Sequence, residues 1–193
     1  MEPSPEILPE IEAKPSRLKA FTRALLEILQ MLAMALVLYF IIDSGVGRVR
    51  VQKISMEPTL AQGEILLVNK LAYRFGEVEH GQIITFHYPL EPELDYVKRV
   101  IGLPGDVVEI KERQVRVNGK LLFEPYISAP PEYEGVWEVP AGEFFVLGDN
   151  RNPSADSHVW GFVPDENLIG KAFAVYWPLN RMRTLTTPDI FSP

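Results

Sequence analysis

Residues 107–122, VVEIKERQVRVNGKLL, carry the clearest signal for a fold in this sequence. Two short runs rich in valine and isoleucine, residues 107–110 and 114–117, are separated by charged residues. Asn118 and Gly119 follow, and an Asn-Gly pair between two strand-forming runs is typical of a type I′ hairpin turn. The stretch therefore predicts an antiparallel β-meander.

Similar strand patterns recur on both sides of this meander. Alternating, β-branched or aromatic runs occupy residues 49–52, 64–69, 82–88, 94–101, 143–147 and 171–177. Thirteen glycines and seventeen prolines can supply the turns between them, and no stretch after residue 43 has a convincing helical period. The predicted fold class is mainly β. One mostly antiparallel β domain covers residues 44–193, with residues 107–147 as a short meander insertion.

A long apolar run precedes this domain. Residues 24–42 contain no glycine or proline, and as a helix they would span roughly 28 Å, close to the hydrocarbon thickness of a bilayer. We predict a single transmembrane helix over residues 24–43. A buried amphipathic helix is one alternative, although residues 31–42 are apolar on every side. A cleaved secretory signal is another, although its apolar core usually has about 7–15 residues.

Charges around the apolar run predict an orientation. Four basic residues lie between positions 14 and 23, and basic flanks stay on the cytoplasmic side of a membrane. Residues 1–23 are therefore predicted to form a basic, disordered N-terminus in the cytoplasm, and the β domain to lie outside the cytoplasmic membrane. Three further basic residues follow the run and weaken the asymmetry: Arg48, Arg50 and Lys53.

Composition excludes several kinds of site and partner. The chain has 193 residues, no cysteine and a net charge of −7. Without cysteine there is no disulfide, no thiolate metal site and no cysteine nucleophile. A net negative charge argues against nucleic acid as a partner. No metal or other cofactor is expected, and the composition carries no signal for an oligomeric state.

Ser55 and Lys98 are the candidate nucleophile and base. Ser55 lies between a predicted strand and a turn stiffened by Pro58, which would hold its hydroxyl at a fixed place. Strand alternation over residues 94–101 places Lys98 among apolar and aromatic side chains. Desolvation there would favour the neutral amine, which can accept a proton from a serine hydroxyl. The alternatives are a serine that caps a turn and a lysine whose ammonium reaches water along the strand.

Two other kinds of site are less well supported. The three histidines, His80, His87 and His158, lack the neighbours typical of a Ser-His-Asp triad. The loop over residues 148–164 is dense in hydrogen-bonding side chains, but it lacks the glycine and the terminal glutamate of a calcium loop. We interpret this loop as the support of either a site or a corner of the fold.

Three motifs follow the apolar run in order. They are Ser-Met-Glu-Pro-Thr-Leu at 55–60, Lys-Arg-Val-Ile-Gly-Leu-Pro-Gly-Asp at 98–106, and Gly-Asp-Asn-Arg at 148–151 continued by Ser-Ala-Asp-Ser at 154–157. Together they resemble the sequence boxes of bacterial type I signal peptidases. The resemblance covers the chain from the apolar run to about Tyr176.

The resemblance implies a membrane-anchored serine endopeptidase with a mostly β catalytic domain. Such enzymes remove signal peptides from exported preproteins at small-x-small sites, so the implied partners are those signal peptides and the phospholipid membrane. It implies a Ser–Lys dyad without histidine or metal that acts through an acyl-enzyme, with Ser55 as nucleophile and Lys98 as general base. Ser154 matches the serine that orients the lysine. Three further residues match a structural polar network near the site: Asp149, Arg99 and Asp156.

Two positions depart from the family pattern. The third motif ends in Asp156-Ser157-His158, where Asp-Ser-Arg is frequent, so an imidazole replaces an Arg–carboxylate fork. Lys53 stands where some members have a serine or glycine, which leaves the backbone N–H of Ser55 as the remaining candidate donor to the oxyanion. Strand alternation places Lys53 toward the substrate groove, and we predict that it contributes to oxyanion stabilisation. The alternative is a side chain that points to solvent, with water or another donor completing the oxyanion hole.

The substrate groove follows from the same strands. A peptide lying extended beside residues 49–54 and 95–97 would pair its backbone with the sheet edges. Shallow pockets that admit only small side chains are predicted to be lined by Val51, Lys53, Met56, Leu60, Tyr96 and Val97.

Two other protein classes fit part of the sequence. Autoproteolytic SOS-type repressors also use a Ser–Lys pair in a β domain, but they carry an N-terminal helix-turn-helix instead of an apolar run. A non-enzymatic, membrane-tethered β domain is disfavoured because Ser55, Lys98 and Ser154 are all retained.

Overall fold

The computed structural model describes residues 17–192, so the disorder predicted for residues 1–16 lies outside the described residues. Two compact units divide the chain, residues 1–42 and residues 43–193. The first consists of a helix in its described part, and the second is rich in β structure.

Helix α1 spans Arg17–Gly45. It is continuous because no glycine or proline interrupts residues 16–44, and for the same reason residues 17–23 are helical rather than disordered. The stretch Lys19–Gly45 has a mean hydropathy of 2.4 and none of its most apolar window is buried. A buried amphipathic helix is therefore not what the structure shows. By length and composition α1 could span a membrane.

The β-rich unit is built from short strands. Those in its described part are β1 (Val46–Arg50), β2 (Ile65–Asn69), β3 (Ile83–Tyr88), β4 (Glu91–Gly102), β5 (Val107–Lys111), β6 (Gln114–Val117), β7 (Lys120–Leu121), β8 (Gly135–Glu138), β9 (Glu143–Leu147), β10 (Val163–Pro164), β11 (Leu168–Trp177) and β12 (Arg183–Thr184). Two single-turn helices, α2 (Ala72–Phe75) and α3 (Ser157–Trp160), lie between strands.

The strands form two antiparallel sheets. The larger sheet has the order β1-β2-β11-β3-β4-β9-β10, with β12 added to β11, and the smaller has the order β7-β6-β5-β8. Every pair is antiparallel. The predicted fold class, an N-terminal apolar helix followed by a mostly antiparallel β domain, is confirmed.

The hairpin turn predicted in the meander joins β6 to β7. Asn118 and Gly119 have φ values of 51° and 78°, the left-handed conformation that a type I′ turn requires at both central positions. Strand β8 was not predicted from the sequence. Its residues alternate only between half-buried and exposed, and a strand without a buried face has no strong apolar pattern.

Strand β4 connects the core to the site. Its first five residues are exposed and its last five are buried, so it leaves the interior of the larger sheet and runs out to solvent. Lys98 lies at the inner end of this transition, opposite Ile84 of β3. The strand therefore buries its lysine while its outer half remains open to a ligand.

Candidate active site

Ser55 lies in a turn that two buried side chains hold in place. The turn follows β1, and its backbone bonds run from Glu57 N to the Ile54 carbonyl (3.1 Å) and from Leu60 N to the Met56 carbonyl (2.8 Å). Met56 and Leu60 are 1% and 0% exposed and pack in one core cluster with residues of β2 and β11. This burial fixes the turn, while Ser55 itself is half-buried and lines a cleft.

Lys98 is buried and hydrogen-bonded. Its side chain is 3% exposed, and Nζ donates to Oγ of Ser154 at 3.0 Å. The alternative in which its ammonium reaches water along the strand is therefore wrong. Burial lowers the pKa of Lys98 to about 8, against the opposing effect of the Asp156 carboxylate, and the Lys53 ammonium lowers it further.

The cleft beside these residues has a volume of about 420 Å³. One wall comes from residues 48–53 and the Ser55 turn, and the other from residues 93–98 of β4. Pro153 and Ala155 of the polar loop complete the lining. Ser55 and Lys98 thus face one space, with the loop that carries Ser154 beside them.

Gly148 makes the close packing of the site possible. A Cβ atom at this position would collide with the main-chain carbonyl oxygen of Ser55 and with Oγ of Ser154. Only glycine therefore lets the chain after β9 pass between the candidate nucleophile and the serine that bonds Lys98.

Asp149 and Arg99 form a buried ion pair behind the site. Arg99 donates Nε and an Nη to the two carboxylate oxygens at 2.8 and 2.7 Å, and the two side chains are 2% and 0% exposed. The same carboxylate accepts a hydrogen bond from the hydroxyl of Thr59, which belongs to the Ser55 turn. A two-pronged bond of this kind fixes geometry as well as charge, so it locks the Lys98 strand, the loop and the Ser55 turn together.

Asn150 holds the backbone at Ser55, a role that was not predicted from the sequence. Its N–H donates to the Ser55 carbonyl at 3.0 Å, and its Nδ2 donates to the Ile54 carbonyl at 3.2 Å. These bonds connect positions about a hundred residues apart in sequence, which no local pattern could indicate.

Asp156 supports the same loop from the other side. It accepts a hydrogen bond from the Gly148 N–H at 2.9 Å and contacts Nδ1 of His158 at 2.5 Å. The His158 ring stacks on Tyr133, with centroids 3.7 Å apart. The imidazole thus contacts the carboxylate that an arginine was expected to bind.

A second buried pair, Arg151 with Glu124, was also missed. Arg151 is 1% exposed, donates both Nη groups to the Glu124 carboxylate and donates Nε to the Gly148 carbonyl at 3.1 Å. Tyr126, close to Glu124, lies 3.9 Å under the Arg99 guanidinium. Glu124 lies in a connection without a motif, so only the tertiary structure brings it to the site.

The predicted pocket residues occupy different depths. The cleft is lined by Val51, Lys53, Met56, Tyr96 and Val97. Leu60 is fully buried in the core beneath the turn and is not among the lining residues. Strand β1 ends at Arg50, so strand alternation does not reach Lys53. Its Nζ nevertheless lies 3.4 Å from the Tyr96 hydroxyl on the cleft wall.

Comparison with known proteins identifies the family. The model of the signal peptidase family, peptidase S26, matches residues 23–177, which include Ser55, Lys98 and Ser154. This chain belongs to that family. The resemblance found in the three sequence motifs is confirmed, and so is the prediction of a peptidase.

Several relatives in the signal peptidase family are similar over most of the chain. A probable signal peptidase I-2 of Synechocystis sp. is 48% identical over 139 residues, covering 68% of this chain and 63% of that protein. The signal peptidase I of Leptolyngbya laminosa is 47% identical over 146 residues and 71% of each chain. The signal peptidase I of Pseudomonas aeruginosa is 34% identical over 241 aligned positions, covering 95% of this chain and 81% of that protein.

Proposed function

We propose that this chain is a serine endopeptidase that cleaves N-terminal signal peptides from exported preproteins at small-x-small sites. Ser55 is the nucleophile and Lys98 is the general base. The observation that carries the proposal is the position of Lys98. Its amine is buried and bonded to Ser154 at 3.0 Å, and the residue lines the same cleft as Ser55.

Acylation begins with a proton transfer. With its pKa lowered to about 8, roughly a tenth of Lys98 is neutral at pH 7. Because one N–H is donated to Ser154, the lone pair of the neutral amine is free to accept the Ser55 hydroxyl proton. The Ser55 oxygen then attacks the scissile carbonyl, and the carbonyl oxygen becomes an anion near the Ser55 N–H.

The same lysine completes both halves of the reaction. The Lys98 ammonium returns its proton to the nitrogen of the departing mature chain, the C–N bond breaks, and the signal peptide remains as an ester on Ser55. Water then gives a proton to Lys98 and attacks the ester, and the ammonium reprotonates the Ser55 oxygen as the signal peptide leaves. One amine thus serves as base and then as acid in each half.

Selection for small side chains is supported by the depth of the cleft. Met56 and Val51 are 1% and 5% exposed and form part of its floor, so little space remains below the reacting bond. On the β4 side of the cleft, the Tyr96 ring stacks on Tyr88 at 4.5 Å. This stack holds the Tyr96 ring in place in the cleft wall. Small residues near the scissile bond would fit such a shallow pocket, whereas large residues would not.

The membrane placement is part of the proposal. Helix α1 is the anchor, residues 1–23 lie in the cytoplasm and residues 44–193 act outside the cytoplasmic membrane. The boundary between the signal peptide and the mature chain would then meet the enzyme where preproteins emerge from the membrane. Deleting residues 1–43 tests this assignment of an anchor and a separate catalytic domain. The truncated chain should keep the circular dichroism of a β protein and cleave peptides, but it should process membrane-inserted preproteins poorly.

The decisive experiment is cleavage of a model preprotein by the full chain in detergent, compared with Ser55→Ala. We expect a single cut after a small-x-small sequence for the wild-type chain and no cut for the variant. Equal cleavage by Ser55→Ala would refute Ser55 as the nucleophile, and no cut by a folded wild-type chain would refute the function.

A further inference from the structure

Arg48 and Arg50 have no part in the chemistry proposed above. They follow α1 directly in the chain. On the side of a membrane that we assign to the β domain, arginines close to the end of a spanning helix oppose the usual distribution of charge. A functional role for the two arginines would offset this unfavourable placement of positive charge.

The structure places both arginines on the wall of the catalytic cleft. Along β1, Gly47 is buried and Val49 is half-buried, whereas Arg48 and Arg50 are exposed, as strand alternation requires. β1 pairs with β2 on one side and is the first strand of the larger sheet. Both arginines line the same space as Ser55 and Lys98.

Their positive charge is not neutralised within the described residues. Five other arginines of the β-rich unit form ion pairs with carboxylates: Arg99, Arg113, Arg151, Arg181 and Arg183. No ion pair found in residues 17–192 includes Arg48 or Arg50. A wall with two unpaired guanidinium groups attracts anions into the cleft.

The opposite wall does not cancel this field evenly. Glu93 and Asp95 lie on the β4 side of the cleft, where the Asp95 carboxylate contacts Nδ1 of His87 at 3.0 Å. The charges are thus divided between the walls, with guanidinium groups on the β1 side and carboxylates on the β4 side. A peptide between the walls would meet a charge pattern as well as a shape.

We propose that Arg48 and Arg50 are specificity residues that favour preproteins with an aspartate or glutamate close to the scissile bond. This inference rests on the proposed function. The chain from Arg50 to Ser55 can span at most about 18 Å, and an extended substrate covers that distance in about five residues. A carboxylate selected by Arg50 therefore lies within about five residues of the cut, and one selected by Arg48, two residues further from Ser55, within about seven.

Anionic lipid headgroups are the competing ligand for arginines near a membrane. The peptide is favoured here because both arginines line the cleft that holds Ser55 and Lys98. A headgroup contact requires arginines near the end of the spanning helix, but it does not require them to line this cleft.

The test measures kcat/KM of the full chain in neutral detergent with matched peptides. Each peptide carries Asp, Asn or Lys at one of the seven positions on either side of the cut, outside the two small residues. For at least one position we expect an Asp-to-Asn ratio of about three to ten at low salt, since exposed charge pairs are individually weak and strongly screened. The ratio should fall near one in R48Q/R50Q, invert in R48E/R50E, and decline with added salt.

The exposed Lys111 of β5, away from the cleft, supplies the matched control. K111Q removes one positive charge and should keep the wild-type ratio. A wild-type ratio near one at every position, or a ratio that R48Q/R50Q does not change, would overturn the inference. Loss confined to preproteins in vesicles with anionic lipid would overturn it in favour of a headgroup contact. Failure of the wild-type chain to cleave even the Asn peptides would instead refute the proposed function, and this inference with it.

Discussion

The carbonyl oxygen of Ser55 occupies the space that a Cβ atom on Gly148 would need, and Oγ of Ser154 lies in the same space. The candidate nucleophile and the serine bonded to Lys98 are thus packed against one residue that has no side chain. Since Asn150 N also donates to the Ser55 carbonyl at 3.0 Å, the loop after β9 sets the position of the Ser55 turn.

Gly148→Ala should therefore abolish most activity. The new methyl group must displace the Ser55 carbonyl or Ser154, and a displacement of about 1 Å at a reacting group can cost 100-fold. We expect kcat/KM to fall by about two orders of magnitude, measured on a peptide substrate at a temperature where circular dichroism shows a folded chain. Gly45→Ala is the control, since its Cβ would make only an ordinary contact at 3.5 Å with Leu71. Wild-type kcat/KM in a folded Gly148→Ala chain would show that this packing does not position the site.

Lys98 should be essential as a base and not only as a positive charge. Lys98→Ala removes the proton acceptor, and Lys98→Arg keeps a cation that does not lose its proton near neutral pH. Both variants should lose at least about a thousandfold in kcat, as enzymes do when a base of this kind is removed. For the wild-type chain, kcat/KM should rise with pH through an acid limb near the lowered pKa of about 8. Substantial turnover by Lys98→Arg would exclude proton transfer as the role of Lys98.

Lys98→Met should stabilise the folded chain while inactivating it. The pKa of Lys98 is about 8 in the folded chain against 10.5 for an ordinary lysine, so keeping it protonated costs up to roughly 3 kcal/mol of folding free energy. The folded value is the lower one, so this cost is fully present below pH 8 and disappears as the pH rises toward 10.5. The melting temperature of Lys98→Met should exceed that of the wild-type chain at pH 7, and the difference should shrink by pH 10.

A control separates this effect from a general preference for apolar side chains. Lys111→Met replaces an exposed lysine and should leave the melting temperature nearly unchanged at both pH values. If Lys98→Met melted below the wild-type chain at pH 7, its bond to Ser154 would be more important for stability than the burial of its charge.

Lys53→Ala should act on the reaction in two separable ways. The Lys53 ammonium lowers the pKa of Lys98, so its removal should move the acid limb of kcat/KM to higher pH. If Lys53 also stabilises the oxyanion, kcat should remain about 10- to 100-fold low on the alkaline plateau, where Lys98 is neutral in both chains. Full recovery on that plateau would restrict Lys53 to the electrostatic effect, and an unmoved acid limb would contradict even that effect.

Local chemistry made much of the architecture predictable from the sequence. An uninterrupted apolar run determined helix α1, and the Asn118-Gly119 pair determined the hairpin between β6 and β7, because both depend on neighbours in the chain. The three motifs gave the family and named Ser55 and Lys98 as candidates. Strand alternation also placed Lys98 on an apolar face, which agrees with its 3% exposure.

Only the tertiary structure decided how these residues meet. The bond from Lys98 to Ser154 joins positions 56 residues apart, the bond from Asn150 to Ile54 joins positions 96 apart, and the Arg151–Glu124 pair joins positions 27 apart. No local periodicity in the sequence predicts these long-range contacts, because they result from the order of strands in the sheet and the path of the loop after β9. Leu60 was predicted to line the pocket, and here too only the tertiary structure decided its place. An apolar residue in a catalytic motif can line a pocket or anchor a turn, and its complete burial among β2 and β11 places it in the core.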